Sequence, residues 1–484
     1  MPSQAHEMSA AEFRRCAHAA VDRLADWLAG LDARPVFASL TEAERAELMD
    51  APLADEPRAL DALIDDTFAR VHAHPMGNGH PRFFGWVNPP PALPGVVADL
   101  LAAGMNPSVA GGDHAAVYVE RACVRWLMEL FGFPTAGSMG LLTSGGSMAS
   151  LTGLAAARLS ALRAVGHDVR EQGLAGAPQL VVYASSEVHS CIRKSIELLG
   201  LGARALRVLP ADGDLRLVPA LVARAIAEDR AAGRVPCAIA ASAGTVASGA
   251  VDPLDALVDL AARERVWLHV DGAYGGFGAL DPAAAPLFRG LERADSIAVD
   301  PHKWLCVPAE CGAVLVRDGA LLRQTFSFVP AYLQTQPGRG FGGLPWYSEY
   351  GFQQTRGFRA LKLWFVLQAA GRRGLSELIA RHNQLARELA QRIRAQPELE
   401  LLAEPALSIV CYRHIPAALR GDENALAAHN RTLMERMQAG GRAFVTNADL
   451  AGRFALRACI LHPRTSAADL DALVAETLRI GREL

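Results

Sequence analysis

Lysine is nearly absent from this sequence. Of 48 lysines and arginines, only Lys194, Lys303 and Lys362 are lysine. An arginine stays protonated, whereas a lysine can lose its proton and attack a carbonyl. Each lysine that remains raises the question of what arginine could not do there. An excess of either charge is also missing. The formal net charge is −3 and the pI about 6.5, which argues against nucleic acid or a membrane surface as a partner. The eight cysteines show no CxxC pair and no zinc-type spacing. They predict reduced, mostly buried thiols, a cytoplasmic protein and no metal site. The most apolar long run, Gly85 to Met105, holds Asp99 and four prolines, so it makes a poor membrane span. The opening MPSQAHEMSAAEFRRC lacks the apolar core of a signal peptide, and no fixed-period repeat is visible.

What is present is globular. The chain has 484 residues, 51% hydrophobic and 20% charged, enough for a large core. Residues 1–85 read as a helical segment, with Phe13, Ala17, Val21, Leu24 and Leu28 on one helix face. From 86 to 375, short apolar runs alternate with longer helical patterns. Strand candidates are GLLTS, LVVYAS, ALRVLP, CAIAAS, VWLHVD, SIAVD and AVLVR. This alternation predicts an α/β domain around a largely parallel sheet, with ligands beyond the carboxyl ends of the strands. Residues 376–484 predict a small α+β domain with strands at ELELLAE, LSIVCYR, RAFVTN and FALRACIL. The stretch from Phe326 to Gly351, rich in Gly, Pro, Gln and aromatics, reads as a functional loop.

Four strand ends carry chemistry. In LLTSGGSMASL the glycines permit close approach of a ligand, and a helix start around Gly146 and Ser147 attracts phosphate. An ordinary capped turn would use the same residues. In YASSEVHSC, His189 can stack on a planar ring or donate a hydrogen bond; a plain surface histidine would look the same. In WLHVDGAYGG a buried-type strand ends in Asp271, whose carboxylate needs a partner or ligand there unless it only closes a turn. In DSIAVDPHKW, Pro301 fixes the backbone and Lys303 follows at a strand end. Lys194 and Lys362 lie on helical patterns, where a salt bridge or snorkelling stem explains them. One ligand satisfies all four ends: a phosphate arm, an aromatic ring, a basic ring nitrogen and an aldehyde describe pyridoxal 5′-phosphate.

HVDGAYGG followed by DPHKW, with TSGGS and SSEVHS upstream, resembles the pyridoxal-phosphate-dependent group II amino-acid decarboxylases. HPRFFGWV and FRALKLWFVL match as well, and the similarity runs from about Ala10 to the C-terminus. The branch it looks most like is the aromatic-L-amino-acid decarboxylases. The resemblance implies the aspartate-aminotransferase-type fold (fold type I), a mixed seven-stranded sheet, and a homodimer with shared active sites. It implies that Lys303 joins the cofactor's aldehyde, Asp271 pairs with the ring nitrogen and His189 stacks on the ring. Gly146 and Ser147 would hold phosphate, Ala273 would pack on the ring, and Thr245, Asp300 and His302 would line the site. Relatives often have a second threonine where Val246 stands, and the animal enzymes typically have asparagine where Asp300 stands. Tyr332 matches a loop tyrosine linked to protonation of the product carbon; aldehyde synthases usually have phenylalanine there.

Phe84, Trp86, Asn88 and Thr355 fall where the family lines its side-chain pocket. They suit tyrosine, dopa, phenylalanine or tryptophan. An acidic substrate such as glutamate, aspartate or cysteine sulfinate needs a dedicated cation, for which Arg82 and Arg356 are the candidates. The same motifs would also serve an aromatic aldehyde synthase or a catalytically silent cofactor-binding homodimer.

Overall fold

The computed structural model describes residues 8–329 and 339–484. The chain divides into two compact units, one of Pro91–Ala390 with Ala403–Cys411, the other of Met1–Pro90, Gln391–Leu402 and Tyr412–Leu484.

The larger unit is built on a mixed seven-stranded sheet. Its strands are β1 (Met139–Thr143), β2 (Leu180–Ser185), β3 (Leu206–Leu209), β4 (Val235–Ser242), β5 (Trp267–Asp271), β6 (Ser296–Val299) and β7 (Gly312–Val316). Their spatial order is β1-β7-β6-β5-β4-β2-β3. Strands β6, β5, β4, β2 and β3 are parallel, while β7 runs antiparallel to both β6 and β1. Strand β1 therefore points the same way as the parallel set, and its carboxyl end shares their edge. All seven expected strands of this region are present. Strands β1, β2, β5, β6 and β7 are buried along their whole length, as expected when helices cover both faces. The helix Gly146–Ala164 crosses β4, β5, β6 and β7. Gly153 allows this approach, since a Cβ there would lie 2.9 Å from Ser296 Oγ and 3.0 Å from His269 Nδ1.

The other unit holds most of a four-stranded sheet of β8 (Leu399–Ala403), β9 (Ile409–His414), β10 (Thr446–Leu450) and β11 (Arg453–Cys459), in the order β10-β11-β9-β8. Strand β10 starts later than the expected RAFVTN run. Phe444 instead forms a single parallel bridge with Phe83 and stacks on it at 4.9 Å. Its aromatic ring is used for packing, and the alternating TNADL segment that follows pairs with β11. On the predicted apolar face of the helix Ala10–Ala29, Phe13 and Val21 are exposed and Ala17, Leu24 and Leu28 partly buried, while Cys16 is its buried residue.

All eight cysteines are free and buried. No helix among the described residues is long and apolar enough to cross a membrane.

Candidate active site

The carboxyl edge of the large sheet encloses a cavity of about 410 Å³. Its lining includes Ser144, Gly146 and Ser147 after β1, His189 after β2, Thr245 after β4, Asp271 and Ala273 at the end of β5, and Asp300, His302 and Lys303 after β6. The cofactor-site candidates, drawn from separate stretches of chain, thus meet because co-directed strands end together.

Lys303 is held by its neighbours. Pro301 and Trp304 flank its turn, and Trp304 is fully buried. The indole stacks on Tyr274 at 5.1 Å and donates to His382 Nδ1 at 3.1 Å. The Tyr274 hydroxyl lies 2.7 Å from Ser408 Oγ. The partly exposed Lys303 ammonium meets Asp300 Oδ2 at 3.0 Å. His302 Nδ1 sits 2.8 Å from the Cys311 carbonyl oxygen, and Cys311 N–H lies 3.1 Å from the same nitrogen.

Asp271 is 8% exposed. Its Oδ1 accepts the Ala273 N–H at 3.1 Å, and the Cys191 thiol donates to Oδ2 at 3.5 Å. His189 caps the helix Ser190–Leu198, its Nδ1 accepting the Cys191 N–H at 3.2 Å. Burial pushes this imidazole below its ordinary pKa, against the pull of Asp271. It therefore presents a neutral plane at neutral pH. Cys191 was not foreseen from the sequence. The donor atoms of His189, Cys191 and Asp271 lie within 4.8 Å of one another, but burial raises the thiol well above its usual range, which disfavours the thiolate a metal would need. Thr245 is buried, its hydroxyl 3.1 Å from Ser248 Oγ and accepting the Ala250 N–H.

The helix start after β1 has no side-chain cap, so its first N–H groups are available to an anion. Gly146 is required there, since a Cβ would lie 2.7 Å from the Ala273 methyl and 2.9 Å from Asp300 Oδ2. A capless helix start, a neutral imidazole plane, a buried carboxylate and a solvent-reachable amine fit pyridoxal 5′-phosphate.

The remaining candidates are not among the described residues that line this cavity. Thr355 is exposed and outside the cavity lining. In the smaller unit, Phe84 is fully buried, Trp86 is half exposed with φ 44°, and the Asn88 amide points at Met76 Sδ at 3.3 Å. Tyr332 lies outside the described residues.

Arg356, a candidate cation for acidic substrates, is committed to the fold. It is 1% exposed, and its guanidinium donates to Glu120 Oε1 and to the Leu142 carbonyl, both at 2.5 Å, and to the Val109 carbonyl at 3.0 Å. Glu120 also accepts the Leu142 N–H at 3.0 Å, so the pair binds both backbone polar groups of Leu142 on the outer edge of β1. Removing one member leaves a buried charge. Glu120→Ala is expected to lower the unfolding free energy by about 3–5 kcal/mol. Urea titration reads this, and a loss below about 1 kcal/mol would show that the pair is dispensable. Arg82 donates to Asp469 Oδ1 at 3.0 Å.

The aromatic-L-amino-acid decarboxylase of Bacillus atrophaeus is 30% identical over 483 residues, 99% of this chain and 97% of that one. The phenylacetaldehyde synthase of Arabidopsis thaliana is 29% identical, covering 95% and 93%. The crystal structure of Oryza sativa TDC with PLP and tryptamine superposes with a TM-score of 0.91 at 28% identity, covering 98% of this chain and 99% of that one. The family model of the pyridoxal-dependent decarboxylase conserved domain matches residues 43–415, and the chain belongs to that family.

Proposed function

We propose that this pyridoxal-phosphate-dependent decarboxylase acts on an aromatic L-amino acid and releases the amine and carbon dioxide. The observation that carries this reading is the meeting of Lys303, Asp271, His189 and the glycine cradle at one sheet edge. When bound, the cofactor supplies an electron sink for the pair left behind as carbon dioxide departs.

The residues have separate tasks in this reading. Lys303 is the amine that would hold the cofactor through its aldehyde. Asp271 keeps the ring nitrogen protonated, because a nearby opposite charge favours the charged form. Neutral His189 would stack on the ring without competing for that proton. Gly146 and Ser147 would receive the phosphate on backbone N–H groups, Ala273 would pack on the ring, and Thr245 and His302 line the cavity. Tyr332 delivers a proton to the product carbon.

An aromatic substrate is favoured over an acidic one on two grounds. Arg356 is spent on Glu120 and backbone carbonyls, and Arg82 is paired with Asp469. Among the described residues, the cavity lining contains no arginine. Phe84, Trp86, Asn88 and Thr355 shape the side-chain pocket in this proposal. The relatives named above for aromatic amino acids and their aldehydes point the same way. A panel of tyrosine, dopa, phenylalanine, tryptophan, glutamate, aspartate and cysteine sulfinate, scored for amine, tests it. Turnover confined to the acidic members would defeat the proposal.

Tyr332 separates decarboxylation from aldehyde formation. In air-saturated buffer, Tyr332→Phe is expected to divert most product from amine to aldehyde, with dioxygen reduced to hydrogen peroxide and the nitrogen released as ammonia. Unchanged amine yield would remove Tyr332 from the mechanism.

The chain acts as a cytoplasmic homodimer in this reading, with residues 1–85 as the dimer-forming segment, 86–375 as the cofactor domain and 376–484 as the small domain. The exposed apolar residues Phe13 and Val21 on one helix, and Leu93, Val97, Leu100 and Leu101 on another, support a covered face in the assembly.

A further inference from the structure

The cradle that receives the cofactor's phosphate also contains a buried carboxylate. Asp300 is 2% exposed. Its Oδ2 meets Lys303 Nζ at 3.0 Å, and its Oδ1 is buried with no hydrogen-bond partner among the described residues. The carboxylate packs against the glycines of the cradle. A Cβ on Gly146 would come within 2.9 Å of Oδ2, and one on Gly312 within 2.8 Å of Oδ1. The helix start beside it attracts an anion, yet two anions confined together cannot both stay ionised at low cost. A phosphate monoester loses its second proton near pH 6, so retaining that proton at neutral pH costs little. A single proton between phosphate and carboxylate would relieve the repulsion and give Asp300 the donor it lacks.

The other groups around Asp300 do not remove the conflict. Lys303 is the only lysine or arginine among the described residues that line the cavity, and its one positive charge offsets Asp300 but not the two charges of a phosphate dianion as well. His302 Nε2 stands 3.8 Å from Oδ2, with its other nitrogen held at Cys311. Across the cavity, burial lowers the pKa of His189, and it raises those of the Cys191 and Cys311 thiols, so all three are neutral. Asp271 adds a negative charge, and Glu310 pairs with Arg359 at 2.5 Å.

The geometry points to a proton-coupled cradle: binding of a phosphate monoester here takes up one proton from solvent, shared between the phosphate and Asp300. This rests on the cofactor-site reading above. It makes affinity fall as pH rises above the phosphate's ordinary ionisation, by about tenfold per pH unit.

The test uses pyridoxamine 5′-phosphate, which lacks the aldehyde and leaves Lys303 free, with pyridoxamine as the phosphate-free control. The full chain, stripped of cofactor, is titrated calorimetrically at pH 8 in two buffers of different ionisation enthalpy. The expected result is an uptake of about one proton more for the phosphate ester than for pyridoxamine, and a dissociation constant rising about tenfold per unit from pH 7 to 9. In Asp300→Asn the extra uptake should vanish and binding at pH 9 should tighten by about tenfold or more. Equal uptake for the two ligands in the native chain, or undiminished uptake in Asp300→Asn, overturns the inference. The native-chain comparison decides the matter even if the variant does not fold. Failure of pyridoxamine 5′-phosphate to bind at any pH would instead sink the cofactor-site reading.

Discussion

Lys303→Ala is expected to slow amine formation by about 10³-fold or more, equivalent to about 4 kcal/mol of barrier. In the proposed function the lysine is the amine that substrate would displace, and a tethered amine reacts at an effective concentration no free group matches. The variant should still fold. Lys303 is partly exposed, whereas Trp304 beside it keeps its stacking on Tyr274 and its bond to His382. It should also still bind cofactor through the cradle and Asp271, without the covalent link. Borohydride treatment followed by peptide mapping reads the link, and stopped assays read the rate. A variant retaining a tenth of native turnover would remove Lys303 from the centre of the mechanism.

Asp271→Ala is expected to lower kcat by about 10²-fold or more while changing cofactor affinity less. A carboxylate close to the ring nitrogen moves its pKa by about 1–3 units, so its loss leaves the ring largely unprotonated and a weaker electron sink. The phosphate contacts remain. Asp271→Asn should resemble alanine in rate, because the charge rather than the shape is at issue. Unchanged kcat with weakened cofactor binding would recast Asp271 as an anchor.

Much of this site is legible in the sequence. Strands buried on both faces appear as short apolar runs, the partly exposed edge strand β3 shows by its alternation with helical patterns, and the polar residues that close the buried strands stand out. His189, Asp271 and Lys303 are legible because each interrupts an apolar stretch where a sheet ends. Cys191 is not, because a cysteine at a helix start looks like ordinary core until the carboxylate beside it is seen. Arg356 misleads for a similar reason. Its partner Glu120 lies 236 residues away in sequence, and nothing local distinguishes a clasping arginine from one that awaits a substrate. The late start of β10 reflects tertiary packing: aromatic and β-branched residues at RAFVTN favour a strand, but Phe444 is drawn into contact with Phe83.

The anchoring of Trp304 has a consequence for turnover that no contact with substrate would reveal. An amine mounted on an immobilised backbone cannot diffuse away after it is displaced. If Lys303 holds the cofactor as proposed, it would stay within reach while the small product amine is free to leave, so recapture by the lysine would outpace rebinding of product. A loosened indole would therefore surface as slow regeneration of the resting enzyme between cycles, with the bond-breaking event itself untouched.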